Sequence, residues 1–417
     1  MAVPTRPCAV SVAVGRRVAL WRVRRRMTQQ VLADRIGRSK SWVEKVERGV
    51  RRLDRFSLIQ QVADVLRVDP TELLGDTGQP QIGGAPAGVE AVRAALARYE
   101  VFAAGPTWAA PDAGEVSQRV EHAWSTYRHG DHPRLLRTVP ELLDAARRLH
   151  TARPEHGTGL LVQAYRVVAL VLVKVGESDL AWLAADRALA TAGSDPLLAG
   201  SAAVPLAQAL RGLGQSRLAM TTAVAAADRV AASTNGKARP GSRAVYGTLL
   251  LQAGLAAAGC GDTHSVGELL RQAEGVAARI GDGQDYRTAS FSPAAVELAH
   301  IVAAVEAGDA RQAVRRHETA TQQQAWRGLP AEHRAAYLVD AARAYLDVGD
   351  FTAAGRWLVE ADRVAPAEIR CRPAARTVVA EIARCGPQLA GVGRLATALG
   401  LTRSGNEGTS MTLIRPV

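Results

Sequence analysis

Six glycines, at positions 130, 176, 214, 261, 308 and 349, each close one apolar helical pattern and open another. Five positions after each stands a small or aliphatic residue: Leu135, Ala181, Ala219, Val266, Ala313 and Ala354. Glycine adopts the left-handed backbone that a tight turn after a helix needs, and a small residue beyond it lets two antiparallel helices approach. A unit that recurs at 38 to 47 residues cannot bury its apolar face alone, so neighbouring copies must stack. Any alanine-rich helical bundle offers one such glycine by chance. Six in succession predict an all-α chain whose larger part, residues 89–400, is an α-solenoid of about six degenerate helical hairpins. Composition agrees: apolar residues make up 47% and aromatic residues only 4%. Alanine loses no side-chain entropy in a helix, whereas sheets favour β-branched and aromatic side chains.

In the last copy, Tyr345, Gly349, Asp350, Phe351, Ala354, Leu358, Ala361 and Pro366 fall on the spacing of a tetratricopeptide repeat, which this copy resembles. The other copies depart from that family's period of about 34 residues, so the helix count is firmer than the repeat class. The resemblance implies a superhelix whose first helices line a concave surface. On that phasing Trp124, Arg128, Gln163, Arg166, Lys174, Gln208 and Arg211 point into the groove of the first three copies. Such a polar, basic lining suits an anionic ligand or a peptide with a free carboxylate. The plainer reading is that these are exposed helix positions.

Charge is unevenly spread. Residues 1–75 hold 16 Arg/Lys against 7 Asp/Glu, and so nine of the twelve net positive charges in the 417-residue chain. A basic N-terminal part beside a nearly balanced remainder suits a polyanionic partner. The stretch 75–88 (GDTGQPQIGGAPAG) has no apolar period and reads as a linker. The expected organisation is an N-terminal extension at 1–13, a small basic domain at 14–74, this linker, the repeats at 89–400 and a polar tail at 401–417.

Within residues 14–74 a first helix repeats Val14, Val18 and Trp21. Thr28 caps a second helix from Gln29 to Ile36, which Gly37 closes, and Ser39 caps a third from Lys40 to Glu47. Val43 and Val46 mark the packing face of that third helix, and Lys40, Ser41, Glu44 and Lys45 its polar face. A fourth helix carries Leu58, Ile59, Val62 and Leu66 inward, and Asp69-Pro70-Thr71-Glu72 opens a short fifth. The resulting five-helix order, ending its third helix in Glu-Arg-Gly, resembles the phage-repressor-like (Xre-type) helix-turn-helix family over roughly 60 residues.

That resemblance implies a transcriptional regulator that binds double-stranded DNA as a homodimer. Carried onto matching positions, Gln29, Lys40, Ser41, Glu44 and Lys45 would contact bases. Arg22, Thr28, Arg38, Arg48, Arg51 and Arg52 would contact phosphates. Arg26 stands where the family often has glycine, and Arg38 where an apolar turn residue is common. Two of the four lysines in this arginine-rich chain, Lys40 and Lys45, fall on the third helix. Trp42 reads mainly as packing. A repressor-like head on a helical superhelix is similar in arrangement to peptide-sensing bacterial regulators of quorum response, which implies a peptide or small-molecule effector.

No phosphate-loop, H-E-x-x-H or G-x-S-x-G motif occurs, so neither catalysis nor a cofactor or metal is expected. Cys8, Cys260, Cys371 and Cys385 form no C-x-x-C pair and read as reduced thiols. His129 and His132 around Gly130 read as solvent-exposed loop histidines. No signal peptide or membrane span is evident, and the expected location is cytoplasmic with no membrane partner. The competing reading is a repeat scaffold whose N-terminal domain holds another protein.

Overall fold

The computed structural model describes residues 9–51, 53, 56–68, 73, 87–98, 111–233, 240–280, 291–385 and 389–401; at 9–13, 56–57, 384–385 and 390 only the backbone is described. Among these residues every regular element is a helix.

The N-terminal head contains α1 (Ala9–Arg24), α2 (Gln29–Arg35), α3 (Lys40–Glu47) and α4 (Phe56–Leu66). Helix α1 starts five residues ahead of the expected Val14. The expected caps are present. The Thr28 hydroxyl accepts from the Val31 amide at 3.2 Å, and the Ser39 hydroxyl from the Trp42 amide at 3.1 Å. Gly37 takes φ +65° between α2 and α3. Val14, Val18, Leu32, Ile36, Val43, Val46, Ile59, Val62 and Leu66 close over one apolar core. Arg26, at the position where the family favours glycine, adopts φ +53°. Left-handed backbone costs an L-residue roughly 1 kcal/mol, which is the physical reason for that preference. The fifth helix expected from Asp69 lies outside the described residues apart from Leu73, which is helical and buried.

A short helix, α5 (Val89–Leu96), leads into the repeats. Six hairpins follow: α6 (Ala113–Arg128) with α7 (His132–Ala152), α8 (Pro154–Val175) with α9 (Ser178–Ala192), and α10 (Pro196–Gly212) with α11 (Ser216–Ser233). Then come α12 (Pro240–Cys260) with α13 (Thr263–Ile280), α14 (Pro293–Ala307) with α15 (Ala310–Ala320), and, after the single turn α16 (Gln324–Arg327), α17 (Ala331–Val348) with α18 (Phe351–Val364). Helices α19 (Pro366–Arg370), α20 (Pro373–Cys385) and α21 (Ala390–Ala398) finish the array. All six turn glycines have φ between +75° and +87°. Their small partners Leu135, Ala181, Ala219, Ala313 and Ala354 are fully buried, and Val266 is half-buried. The core runs along the array as three successive apolar clusters, each shared by neighbouring hairpins.

The coil closes on itself. A Cβ on Gly130 would stand 2.7 Å from the Ala365 Cβ, and one on Gly176 2.7 Å from the Pro373 ring, so the first two turns abut the end of the array. Between them lies an ion cluster. Lys174 pairs with Glu332 and, at 3.1 Å, with Glu368; His132 meets Glu368 at 2.8 Å, and the Tyr127 hydroxyl donates to Glu332 at 3.2 Å. Burial alone would raise the Glu368 carboxyl, but Lys174 and the His132 hydrogen bond outweigh it and hold it well below the ordinary range. His132 is therefore fully buried, contrary to the loop exposure read from its sequence neighbourhood. The proximity of Gly130 placed it in a turn, whereas it opens α7 and faces a carboxylate 236 residues away.

Helix α8 is both long and apolar. By length and composition this 22-residue segment could cross a membrane, although none was recognised in the sequence. In the fold, 67% of its apolar window is buried among neighbouring helices, where a core helix needs the same apolar surface as a membrane span.

Candidate nucleic-acid interface

Helix α3 buries Trp42, Val43 and Val46 and leaves Lys40, Ser41 and Arg48 exposed. Glu44 lies between, 3.4 Å from the Arg48 guanidinium. The exposed stripe is what helical geometry gives: residues 40, 44 and 48 are one turn apart, and 41 lies beside them. Glu47 at the end of α3 organises the side of the head. Arg22 reaches it through two nitrogens at 2.5 and 3.0 Å, and the Gln29 amide donates to it at 2.8 Å. Arg22 and Gln29 are thereby tied to α3, and Thr28 is the cap of α2. Elsewhere on the head Arg16, Arg24, Arg26 and Arg35 are exposed too, against one exposed acidic neighbour on α2, Asp34.

The opposite flank of α3 rests on the repeats. Arg38, 2% exposed, donates through one nitrogen to the Gly259 carbonyl and through another to the Gly214 carbonyl, each at 2.7 Å. The Ser39 amide donates to the Cys260 carbonyl at 2.9 Å, and Lys45 Nζ to the Ala307 carbonyl at 2.8 Å. Arg51 is buried against Glu306 at 3.0 Å. Arg38 and Arg51 both lie over the Trp42 ring, at 5.6 and 5.7 Å from its centroid. The acceptors sit at the C-terminal ends of α10, α12 and α14, where unsatisfied carbonyls and the helix dipole favour cations. Three consecutive glycine turns, at 214, 261 and 308, thus receive the head. A cavity of about 360 Å³ opens on this seam, lined by Ser39, Arg217, Met220, Cys260, Asp262 and His264. Burial pushes the Cys260 thiol up, against Arg38 and Arg217.

Residues 13–74 match the helix-turn-helix domain family. No curated protein matches the chain. Among solved structures, Bacillus thuringiensis PlcR in complex with the peptide PapR7 and DNA is similar over 82% of this chain and 98% of that one, at 13% identity and a TM-score of 0.34. Within the helix-turn-helix head, the residues read as base contacts divide. Lys40, Ser41 and Glu44 share the outer face, Gln29 is held by Glu47, and Lys45 turns to the repeats. Of those read as phosphate contacts, Arg48 stays outside, while Arg22, Thr28, Arg38 and Arg51 are engaged within the chain. Arg52 lies outside the described residues.

The seven residues read as groove lining also separate. Trp124 is 7% exposed and makes an edge-on contact with Tyr127. Arg166, buried, lies over the Trp124 ring at 5.2 Å and donates to Gln163 at 2.8 Å. Burial lowers its guanidinium to about 10. Lys174 belongs to the closing ion cluster, a departure from the open trough expected, because the coil returns its last hairpin to the second. Arg128, Gln208 and Arg211 are half-buried. Glu306 and Glu47 were missed in the sequence. The available signal for Glu306 was a carboxylate two residues before a turn glycine, on an α14 whose other acidic residue is Glu297.

Proposed function

We propose that this chain is a sequence-specific DNA-binding transcriptional regulator, without catalytic activity of its own, whose helix-turn-helix head reads the major groove through α3. The observation that carries this reading is the exposed face of α3, on which Lys40, Ser41, Glu44 and Arg48 line up within a unit of matching family. An α-helix of this width fits the major groove, where lysine and serine side chains meet base edges and a flanking arginine meets phosphate. One such helix spans only a few base pairs, so binding as a homodimer on paired half-sites supplies the remaining specificity. The repeats are the modulating part, through a peptide or small-molecule effector. In support, α6, α8 and α10 carry Arg128, Gln163, Gln208 and Arg211 at partly accessible positions.

A salt titration of full-length chain on random-sequence duplex tests the DNA reading. Neutralisation of several phosphates releases counterions, and log affinity falls linearly with log salt at a slope of about −0.9 per phosphate. Affinity independent of salt would instead favour a protein-binding head, the second reading, to which the burial of Arg38 and Arg51 against protein groups lends weight.

A further inference from the structure

We propose that the turn edge of hairpins three to five is a docking surface for the chain's own helix-turn-helix head, and that the docked chain is its low-affinity state for DNA. This inference rests on the DNA-binding reading above. Its chemistry is that of a phosphate row replaced by protein. Carbonyls of Gly214, Gly259, Cys260 and Ala307, together with the Glu306 carboxylate, receive Arg38, Ser39 N–H, Lys45 and Arg51. These donors are cations or a backbone amide at a helix N-terminus, the groups with which proteins take hold of DNA phosphates. Here they face helix C-termini, which carry partial negative charge.

Geometry makes the two partners exclusive. A helix with its side chains is about 10–12 Å across, and the major groove about 12 Å wide, so both flanks of an inserted helix lie against the groove walls. One flank of α3 is already against protein at 2.8–2.9 Å, from the Ser39 amide at its start to Lys45 near its end. A sugar-phosphate strand cannot occupy the same space. Reading DNA with the Lys40 face therefore requires the head to leave the turns. The polar groups described on the seam allow it: the Arg51–Glu306 pair and the carbonyl contacts can be exchanged for phosphate contacts of the same kind. The chain also supplies length, since 13 residues in sequence separate Leu73 from Ala87, at most about 45 Å of chain. An effector that loosened the turns would raise DNA affinity by raising the fraction of undocked heads.

A reversible lock tests this. A Cβ on Gly261 would stand 3.6 Å from the Ser39 Cβ, inside the ~3.5–4.5 Å range of disulfides; φ +78° strains any side chain there and the Trp42 Cβ is 3.2 Å away, so the two forms compared carry the same strain and differ only in the bond. Full-length Ser39→Cys/Gly261→Cys, in a Cys260→Ser background, is compared oxidised and reduced on a duplex selected from a random pool with the parent chain. The expected result is at least about tenfold weaker binding in the oxidised form than in the reduced form of the same protein. Equal affinity in the two forms overturns the inference. Glu306→Ala provides an independent arm that leaves the turn backbone intact. It is expected to bind about three- to tenfold more tightly than the parent, and unchanged or weaker binding overturns the inference even where the double variant does not fold. A parent chain that selects no duplex at all would sink the DNA reading itself, a failure distinct from both.

Discussion

The same edge of the superhelix makes two contacts of different chemistry. At the first two turns the partners are the end of the array, and the contact is a buried cluster of Lys174, His132, Glu332 and Glu368 with Tyr127 beside it. At the third to fifth turns the partner is the head, and among the described residues the contact joins cations on backbone carbonyls and the Arg51–Glu306 pair with Leu58, Trp42 and Val50 at the turn glycines. The closure buries several ionic partners together, so the loss of any one leaves the others buried and unpaired, whereas most acceptors of the seam are helix-end carbonyls that water also satisfies, with Glu306 the one buried carboxylate described there. The difference teaches where the proposed undocking would open the molecule: at the seam of the head rather than at the closure of the coil.

The largest expected effect falls on the closure. Glu368→Ala leaves Lys174 and His132 without one buried partner and is expected to cost about 3–5 kcal/mol, read as a lowered denaturant midpoint of the repeats. A loss below about 3 kcal/mol would put the closure on a par with the seam and break the contrast.

The closure also carries the clearer acid response. Because the folded-state carboxyl of Glu368 is depressed, its contribution is fully present above the unfolded value of about 4.3 and disappears as pH falls through the folded one. Carbonyl acceptors do not titrate in that range. Amide exchange near pH 3 should therefore rise at the Gly130 and Gly176 turns more than at Gly261, and the reverse order would contradict this assignment.

Arg38→Ala, on the seam, is expected to cost about 1.5–3 kcal/mol, the worth of hydrogen bonds to a charged donor, and to release the head as a separately unfolding unit. A single unchanged transition would show that the seam is not held by Arg38. The smallest effect sharpens the comparison from within the head. Arg26→Gly removes the left-handed strain at φ +53° and should stabilise the head by about 0.5–1 kcal/mol while leaving the transition of the repeats in place.

The hairpins were legible because their punctuation is local. A backbone φ near +80° favours glycine whatever lies around it, and six such glycines mark six turns. Caps at Thr28 and Ser39 were legible for the same reason, each being settled within three residues. What joins distant parts was not. Arg38 and Gly259 are 221 residues apart, Lys45 and Ala307 262, and His132 and Glu368 236. A cation on a head helix looks the same in sequence whether its acceptor is a phosphate or a carbonyl, so Arg38, Lys45 and Arg51 were all read outward. The split of α3 into an outer face and a seated flank needed the fold of the whole chain. Lys174 shows the same limit: its helical phase was readable, but the return of the last hairpin to meet it was not.

The central claim is that Lys40 on the outer face of α3 reads bases. Its most direct measurement compares Lys40→Ala with the parent chain on the selected duplex and on random duplex at one salt concentration. The account predicts a loss of about 1–3 kcal/mol on the selected duplex and little change on the random one. Equal losses on both would make Lys40 a phosphate contact, and no loss on either would contradict the account.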